Sequence, residues 1–143
     1  MLNVVPVDLG DRSYEVRIGS GLIDTFGAEL APLLARRKVA VVTDETVAAV
    51  HLMQLAKSLE NAGIAMTALA LPPGEGSKGW QQFSRCVEWL LEQKIERRDV
   101  VVAFGGGVVG DLVVDSVADL AVEAMAARVA AALLQRPDVL EAE

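Results

Sequence analysis

The stretch DVVVAFGGGVVGD, residues 99–111, indicates the fold more clearly than any other part of this sequence. Its first half is an apolar run of strand-forming residues, and its second half is a glycine turn that leads into a helix-like segment. Gly105, Gly107 and Gly110 satisfy the pattern G-x-G-x-x-G. A strand that turns through glycines into a helix is a unit of parallel α/β sheets, so the sequence predicts an α/β fold.

The rest of the chain repeats this alternation of strand and helix. Apolar runs at 38–43 and 64–71 alternate with helix-like segments at 22–34, 47–62 and 80–93. Short strands that alternate with helices of this length predict a parallel Rossmann-like sheet flanked by helices. The helical spacing predicts these buried positions: Leu22, Phe26, Leu30, Leu33, Val50, Leu55, Leu59, Phe83, Val87, Leu90 and Leu91.

The two ends of the chain depart from the alternation. Residues 4–9 and 14–18 are strand-like runs on either side of Gly10 and Asp11, which predicts an amino-terminal β-hairpin. Residues 113–135 carry a wide apolar stripe that predicts a long carboxy-terminal helix. We therefore divide the chain into a domain over residues 1–112 and a helix over 113–143, and we expect a homo-oligomer formed through that helix.

Composition excludes two classes of partner. The net charge is -7, with 13 basic residues scattered among 20 acidic ones, which argues against nucleic acid. The basic triplet Arg36-Arg37-Lys38 is interpreted as a complement to a helix carboxyl end. No apolar run is long enough to cross a bilayer and no signal peptide is recognised, so we expect no membrane partner.

Single residues with reactive side chains are interpreted as structural. Cys86 has no second cysteine to pair with, which is typical of a reducing cytoplasm, and its helical position predicts a core residue. We therefore expect a cytoplasmic protein. His51 is the one histidine and lies in a predicted helix, where we expect a surface or packed residue.

The glycine loop has the composition of a phosphate-binding turn. Glycines allow a pyrophosphate to approach the backbone closely, and free N–H groups at a helix start attract its negative charge. We expect Gly105, Gly106, Gly107, Val108 and Gly110 to bind a dinucleotide such as NAD. The alternative is a strand-to-helix turn that binds no ligand.

A second candidate residue, Asp44, follows the apolar run at 38–43. In the standard dinucleotide fold an acid about 20 residues after the glycines binds the ribose, but here the glycine loop follows the last strand. The ribose partner must then come from elsewhere, and Asp44 can accept hydrogen bonds from ribose hydroxyls. It can equally cap the following helix, and the two roles are compatible.

A third polar loop, residues 73–78, reads PGEGSK and follows the apolar run at 64–71. Lys78 offers a cation to a phosphate, and Glu75 offers a carboxylate to hydroxyls. Because parallel strands bring their carboxyl ends to one edge of a sheet, we expect the three polar loops to converge.

Together these loops resemble one enzyme family. TDETV at 43–47, PGEGSK at 73–78 and GGGVVGD at 105–111 occur in the order found in 3-dehydroquinate synthase, a member of the sugar phosphate cyclase group, and the likeness covers about residues 1–112. The resemblance implies that NAD is contacted by Asp44, Glu75, Lys78, Gly106, Gly107 and Asp111, with Asp111 near the nicotinamide end.

The resemblance also implies an activity for the full-length family. Its members convert 3-deoxy-arabino-heptulosonate 7-phosphate to 3-dehydroquinate with loss of phosphate, using NAD and a divalent metal, usually zinc. Past Leu112 this chain departs from the family, whose later segments supply the metal ligands. We therefore expect no metal site and no catalytic residue here, and an NAD-binding domain at residues 1–112 that is a truncated form of the enzyme and inactive alone.

Two other interpretations stay open. One is a non-catalytic binding or scaffold module that keeps the fold but has little affinity for a nucleotide. The other is a relative of glycerol or alcohol dehydrogenase, since those families share the looser glycine pattern. Binding of NAD measured by calorimetry separates the first of these from a nucleotide-binding domain.

Overall fold

The computed structural model of the protein describes residues 2–8, 14–19, 21–72, 79–95, 99–106, 109–113 and 116. The elements follow the order ββαβαβαβ, with a 3-10 turn at Ala31–Leu33 after the first helix. The strands are β1 Leu2–Val7, β2 Tyr14–Gly19, β3 Lys38–Asp44, β4 Ala65–Leu71 and β5 Val100–Phe104, and the helices are α1 Leu22–Leu30, α2 Glu45–Asn61 and α3 Trp80–Glu92.

Strands β3, β4 and β5 form a parallel sheet in the order β4-β3-β5. Strands β1 and β2 pair antiparallel in a separate two-stranded sheet. Both the parallel Rossmann-like sheet flanked by helices and the amino-terminal hairpin predicted from the sequence are therefore confirmed.

Strands β3 and β5 are buried on both faces, which explains the apolar runs at 39–42 and 100–104. On one face, Val39, Val41 and the alternate residues of β5 pack with side chains of α1 and α2. On the other face, Ala40 and Val42 pack with α3 and with the helical residues 109–113. Because successive strand side chains point to opposite faces, one run of small and β-branched residues fills both cores.

Three predicted core positions are wrong. Leu33 is 60% exposed because α1 ends at Leu30 and the chain continues as a 3-10 turn containing Pro32, which changes the helical phase. Val50 is 70% exposed, because it lies five positions before buried Leu55 and therefore about 140° away from it around the helix. Leu91 is 60% exposed beside the fully buried Leu90.

The basic triplet lies where β3 begins. Two of its side chains form hydrogen bonds at the carboxyl ends of helices other than α1, which precedes the triplet. Arg37 Nη1 donates to the carbonyl of Ala62 at 3.0 Å, at the carboxyl end of α2. Lys38 Nζ donates to the carbonyl of Gln93 at 2.7 Å, at the carboxyl end of α3. The interpretation as a complement to helix carboxyl ends holds in kind, but the helices are α2 and α3 and not α1.

The first residue of the triplet forms a forked ion pair. Arg36 Nε donates to Asp99 Oδ1 at 3.0 Å, and Arg36 Nη2 bonds to Asp99 Oδ2. The Asp99 side chain is 2% exposed and immediately precedes β5, whereas the Arg36 side chain is 41% exposed. The pair therefore connects the start of β3 to the start of β5, at the sheet edge opposite the carboxyl ends of the strands.

Helices α1 and α2 meet at a glycine. A Cβ atom at Gly27 would lie 2.2 Å from the backbone oxygen of Ser58, so the backbones approach closer than any side chain allows. The Ser58 hydroxyl accepts from the Gly27 N–H at 2.9 Å and donates to the Asp24 carbonyl at 3.1 Å. This buried hydroxyl fixes the contact between the two helices.

Cys86 lies in the core, as its helical position predicts. Burial raises the pKa of its thiol, and a hydrogen bond with the Ser116 side chain opposes part of that rise. The thiol is therefore protonated at neutral pH and is a packing group.

The carboxy-terminal helix predicted over residues 113–143 lies mostly outside the described residues. In this part of the chain the structure describes residues 109–113 and 116, which are helical. Within the part of the chain that the structure describes, no helix has the length and hydrophobicity of a membrane span.

Candidate functional site

The polar segments that follow the strands begin at one edge of the sheet. In the parallel register, Asp44 is opposite Leu71 and Thr43 is opposite Phe104. The residues that follow β3, β4 and β5 therefore start side by side. The expectation that the three strands end side by side is therefore confirmed, while the polar loop at 73–78 lies outside the described residues.

The connection that follows β3 and the connection that follows β5 leave the sheet in different directions. After β3 it enters α2, which packs on one face, and after β5 it enters the helical residues 109–113, which pack on the other. Since β3 and β5 are neighbours, the two connections diverge at the carboxyl ends of these strands, which makes this a topological switch point of the sheet. Open α/β sheets bind ligands at such a point.

Asp44 caps helix α2. Its Oδ1 accepts from the Val47 N–H at 2.7 Å, and its backbone is extended, with φ -109° and ψ 165°. The capping role considered from the sequence is therefore present. The side chain is half-buried, and its Oδ2 forms no hydrogen bond with the described residues, so the same carboxylate has an oxygen for a ligand hydroxyl.

The first two glycines of the loop have different surroundings. A Cβ at Gly105 would lie 2.9 Å from Val109 Cγ2, so Gly105 allows the loop to pack against the following helical residues. At Gly106 a Cβ would meet no atom of the described residues within 4 Å, and the Gly106 carbonyl accepts from the Gly110 N–H at 3.1 Å. Open space beside the Gly106 backbone is what a closely approaching ligand requires.

Among the other predicted site residues, Gly110 is half-buried in the helical segment and Asp111 is exposed one position further along. Four further candidates, Glu75, Lys78, Gly107 and Val108, lie outside the described residues. Their proposed contacts with NAD remain predictions.

One buried polar residue of this edge was not singled out from the sequence. Thr43 is fully buried, and its hydroxyl donates to the Phe104 carbonyl at 2.6 Å. Pairing between β3 and β5 creates this contact, so the sequence carries no local signal for it.

A metal centre is a separate question. Within the residues that the structure describes, no three His, Cys, Asp or Glu side chains come together as a metal site. His51 is half-buried in α2. The described residues therefore do not fit a zinc ion, and the expectation of no metal site in this chain remains a prediction.

Comparison with solved structures gives the class of fold. The chain is similar to 2-epi-5-epi-valiolone synthase from Streptomyces hygroscopicus, solved with NAD+ and Zn2+ bound, with a TM-score of 0.67 and 24% identity over 81% of this chain and 32% of that one. It is also similar to an NADH-dependent butanol dehydrogenase from Thermotoga maritima, with a TM-score of 0.59 and 22% identity over 76% of this chain and 26% of that one. The chain therefore shares its fold with part of a synthase and with part of a dehydrogenase.

Sequence comparison is more specific. Residues 68–138 match the family described as 3-dehydroquinate synthase N-terminal. The chain is 65% identical over 112 residues to the 3-dehydroquinate synthase of Ruegeria pomeroyi and 66% identical over 111 residues to that of Cereibacter sphaeroides. Each match covers 78% of this chain, which spans 30% of the length of these relatives. The chain belongs to the 3-dehydroquinate synthase family and corresponds to its amino-terminal part.

Proposed function

We propose that this chain is the NAD-binding part of a 3-dehydroquinate synthase, the enzyme that converts 3-deoxy-arabino-heptulosonate 7-phosphate to 3-dehydroquinate with loss of phosphate. The observation that carries the proposal is the switch point between the neighbouring parallel strands β3 and β5, with Asp44 at the end of β3 and the open side of Gly106 just after β5. The described residues fit a dinucleotide, since they combine a carboxylate acceptor with backbone that a pyrophosphate can approach.

In this proposal the residues of the chain bind and orient the cofactor. Asp44 accepts hydrogen bonds from ribose hydroxyls through the carboxylate oxygen that does not cap α2. Gly106 leaves the space in which the pyrophosphate lies against the backbone. Glu75, Lys78 and Asp111 are further proposed contacts, as the family resemblance implies. When bound, NAD supplies the transient oxidation and re-reduction of the substrate.

Calorimetric titration with NAD+ tests the proposal. The chain is expected to give saturable heat, and Gly106→Val is expected to weaken binding at least roughly tenfold, about 1.4 kcal/mol, because a branched side chain fills the space of the pyrophosphate. Within the described part of the chain, no atom lies within 4 Å of a Cβ at this position, so the variant should fold.

Ala65→Val is the matched control, since Ala65 is exposed at the opposite edge of the sheet, where β4 begins. Ala65→Val should bind NAD+ as the unaltered chain does. The melting temperatures of Ala65→Val and Gly106→Val should both equal that of the unaltered chain. Absence of saturable heat from the unaltered chain would favour a scaffold module, and equal binding by Gly106→Val would remove Gly106 from the site.

Two substitutions of Asp44 separate its capping role from its ligand role. Asparagine caps helices as well as aspartate, so Asp44→Asn should retain the melting temperature, while the loss of the charged acceptor should weaken NAD+ binding roughly tenfold. Asp44→Ala should weaken binding similarly and also lower stability by about 1 kcal/mol, because the Val47 N–H loses its acceptor. Thermal melts and titrations of both variants measure the two effects. A melting temperature that falls equally in both variants would contradict this division.

A further inference from the structure

Thr43 links β3 and β5, the two strands whose carboxyl ends border the proposed NAD site. It is the residue before Asp44 in β3, and its register partner in β5 is Phe104, the residue before Gly105. The Thr43 hydroxyl donates to the Phe104 carbonyl at 2.6 Å, and the two side chains are 0% and 1% exposed. A buried hydrogen bond therefore connects the two backbone segments from which Asp44 and the glycine loop emerge.

The accepting carbonyl belongs to the first peptide of the glycine loop. A peptide unit is planar, so the direction of the Phe104 carbonyl also sets the direction of the Gly105 N–H. Strand β3 ends at Asp44 and gives way to helix α2, so β3 no longer runs alongside the chain after Phe104. The side chain of Thr43 thus supplies a hydrogen-bond donor to the carbonyl at the last residue of β5.

We propose that Thr43 is a positioning residue, which holds the first peptide of the glycine loop in a set orientation relative to Asp44. This role rests on the proposed function, because the orientation matters to a dinucleotide that contacts both segments. Thr43 itself is fully buried and acts through its neighbours. Loss of the hydroxyl leaves a buried carbonyl without this donor, and the loop can then change its position.

A second threonine of the same sheet provides the matched control. Thr67 lies in β4, on the other side of β3, and its Oγ1 is buried with no hydrogen-bond partner among the described residues. Threonine to valine at either position preserves the branched shape and removes one hydroxyl. The comparison isolates the hydrogen bond that Thr43 forms from the general effect of the substitution.

The first measurement is amide hydrogen exchange by NMR in the absence of nucleotide. The Gly110 N–H bonds to the Gly106 carbonyl at 3.1 Å and reports on the turn, while the Ile64 N–H bonds to the Leu59 carbonyl at 2.9 Å near the opposite edge. Thr43→Val should raise the exchange rate of the Gly110 amide roughly tenfold, which corresponds to a local opening free energy lower by about 1.4 kcal/mol. The exchange rate of the Ile64 amide should not change. Thr43→Ser should restore slow exchange, and Thr67→Val should behave as the unaltered chain.

The second measurement is NAD+ titration of the same variants. Thr43→Val should weaken binding roughly tenfold, the equivalent of about 1.4 kcal/mol, and Thr43→Ser should restore it. Thr43→Cys retains a weak donor and should give intermediate values, and it replaces the valine variant if that protein does not fold.

The outcomes separate this inference from the proposed function. If the unaltered chain gives no heat with NAD+, the proposed function fails, and exchange at the Gly110 amide alone decides whether Thr43 positions the loop. Unchanged exchange in Thr43→Val, an equal rise at both amides, or a serine variant as impaired as the valine variant would each overturn the positioning role. Normal NAD+ affinity in Thr43→Val would overturn its importance for binding.

Discussion

Gly27→Ala is expected to destabilise the protein by at least about 2 kcal/mol, although alanine favours a helix over glycine by about 1 kcal/mol. The added Cβ would lie 2.2 Å from the Ser58 backbone oxygen and 2.7 Å from its carbonyl carbon. Neither is the flexible end of a side chain, so α1 and α2 must move apart. That movement also breaks the hydrogen bonds of the Ser58 hydroxyl with Gly27 and Asp24. Chemical denaturation measures the loss as a lower free energy of unfolding.

Gly106→Ala is the control for this prediction. The Gly106 backbone has no positive φ that would strain an alanine, and its Cβ would lie more than 4 Å from every atom of the residues that the structure describes. At such a position glycine to alanine is neutral or stabilises by up to about 1 kcal/mol, through the unfolded chain. If both variants had the stability of the unaltered protein, the close contact between α1 and α2 would be disproved.

Arg36→Met is the second substitution with a large expected effect, a loss of about 3 kcal/mol. It takes the forked guanidinium away from the Asp99 carboxylate, which is 2% exposed, and loss of one partner of a buried ion pair costs about 3 to 5 kcal/mol. The low end applies because the Arg36 side chain is 41% exposed and water can partly replace it. Arg36→Lys should recover part of the loss, since lysine retains the charge without the fork. Denaturation by urea at neutral pH measures the free energy of unfolding of the unaltered chain, Arg36→Met and Arg36→Lys.

The neighbouring arginine offers a matched comparison. Arg37 Nη1 donates to the Ala62 carbonyl in an exposed setting, so Arg37→Met should cost less than about 1 kcal/mol. Equal losses from Arg36→Met and Arg37→Met would show that burial of Asp99 adds nothing to the strength of its ion pair.

Strands were the most predictable elements of this fold. The centre of β3 and the whole of β5 are apolar because both of their faces are covered. A short apolar run between turn residues indicates such a strand without knowledge of its neighbours. Helix faces were less predictable. Leu33 and Val50 were predicted to be buried but are exposed. A spacing pattern does not show where a helix changes phase or which of its faces meets the core.

The candidate site was predictable to the extent that its residues are local. Asp44 follows a strand and begins a helix, so its position and capping role follow from the sequence alone. The glycine loop is recognisable for the same reason. Thr43 and Phe104 are 61 positions apart, and Gly27 and Ser58 are 31 apart. Their hydrogen bonds depend on strand register and on helix crossing, which no local pattern specifies.

Adjacent glycines at 105 and 106 should have different evolutionary histories. Position 105 is restricted from within, since any side chain there meets Val109, and it can change freely only if residue 109 shrinks as well. Under the proposed function, the bound nucleotide and not the protein restricts position 106, since no described atom lies where its side chain would go. In lineages that have abandoned the nucleotide, drift at 106 with glycine retained at 105 is therefore the expected pattern.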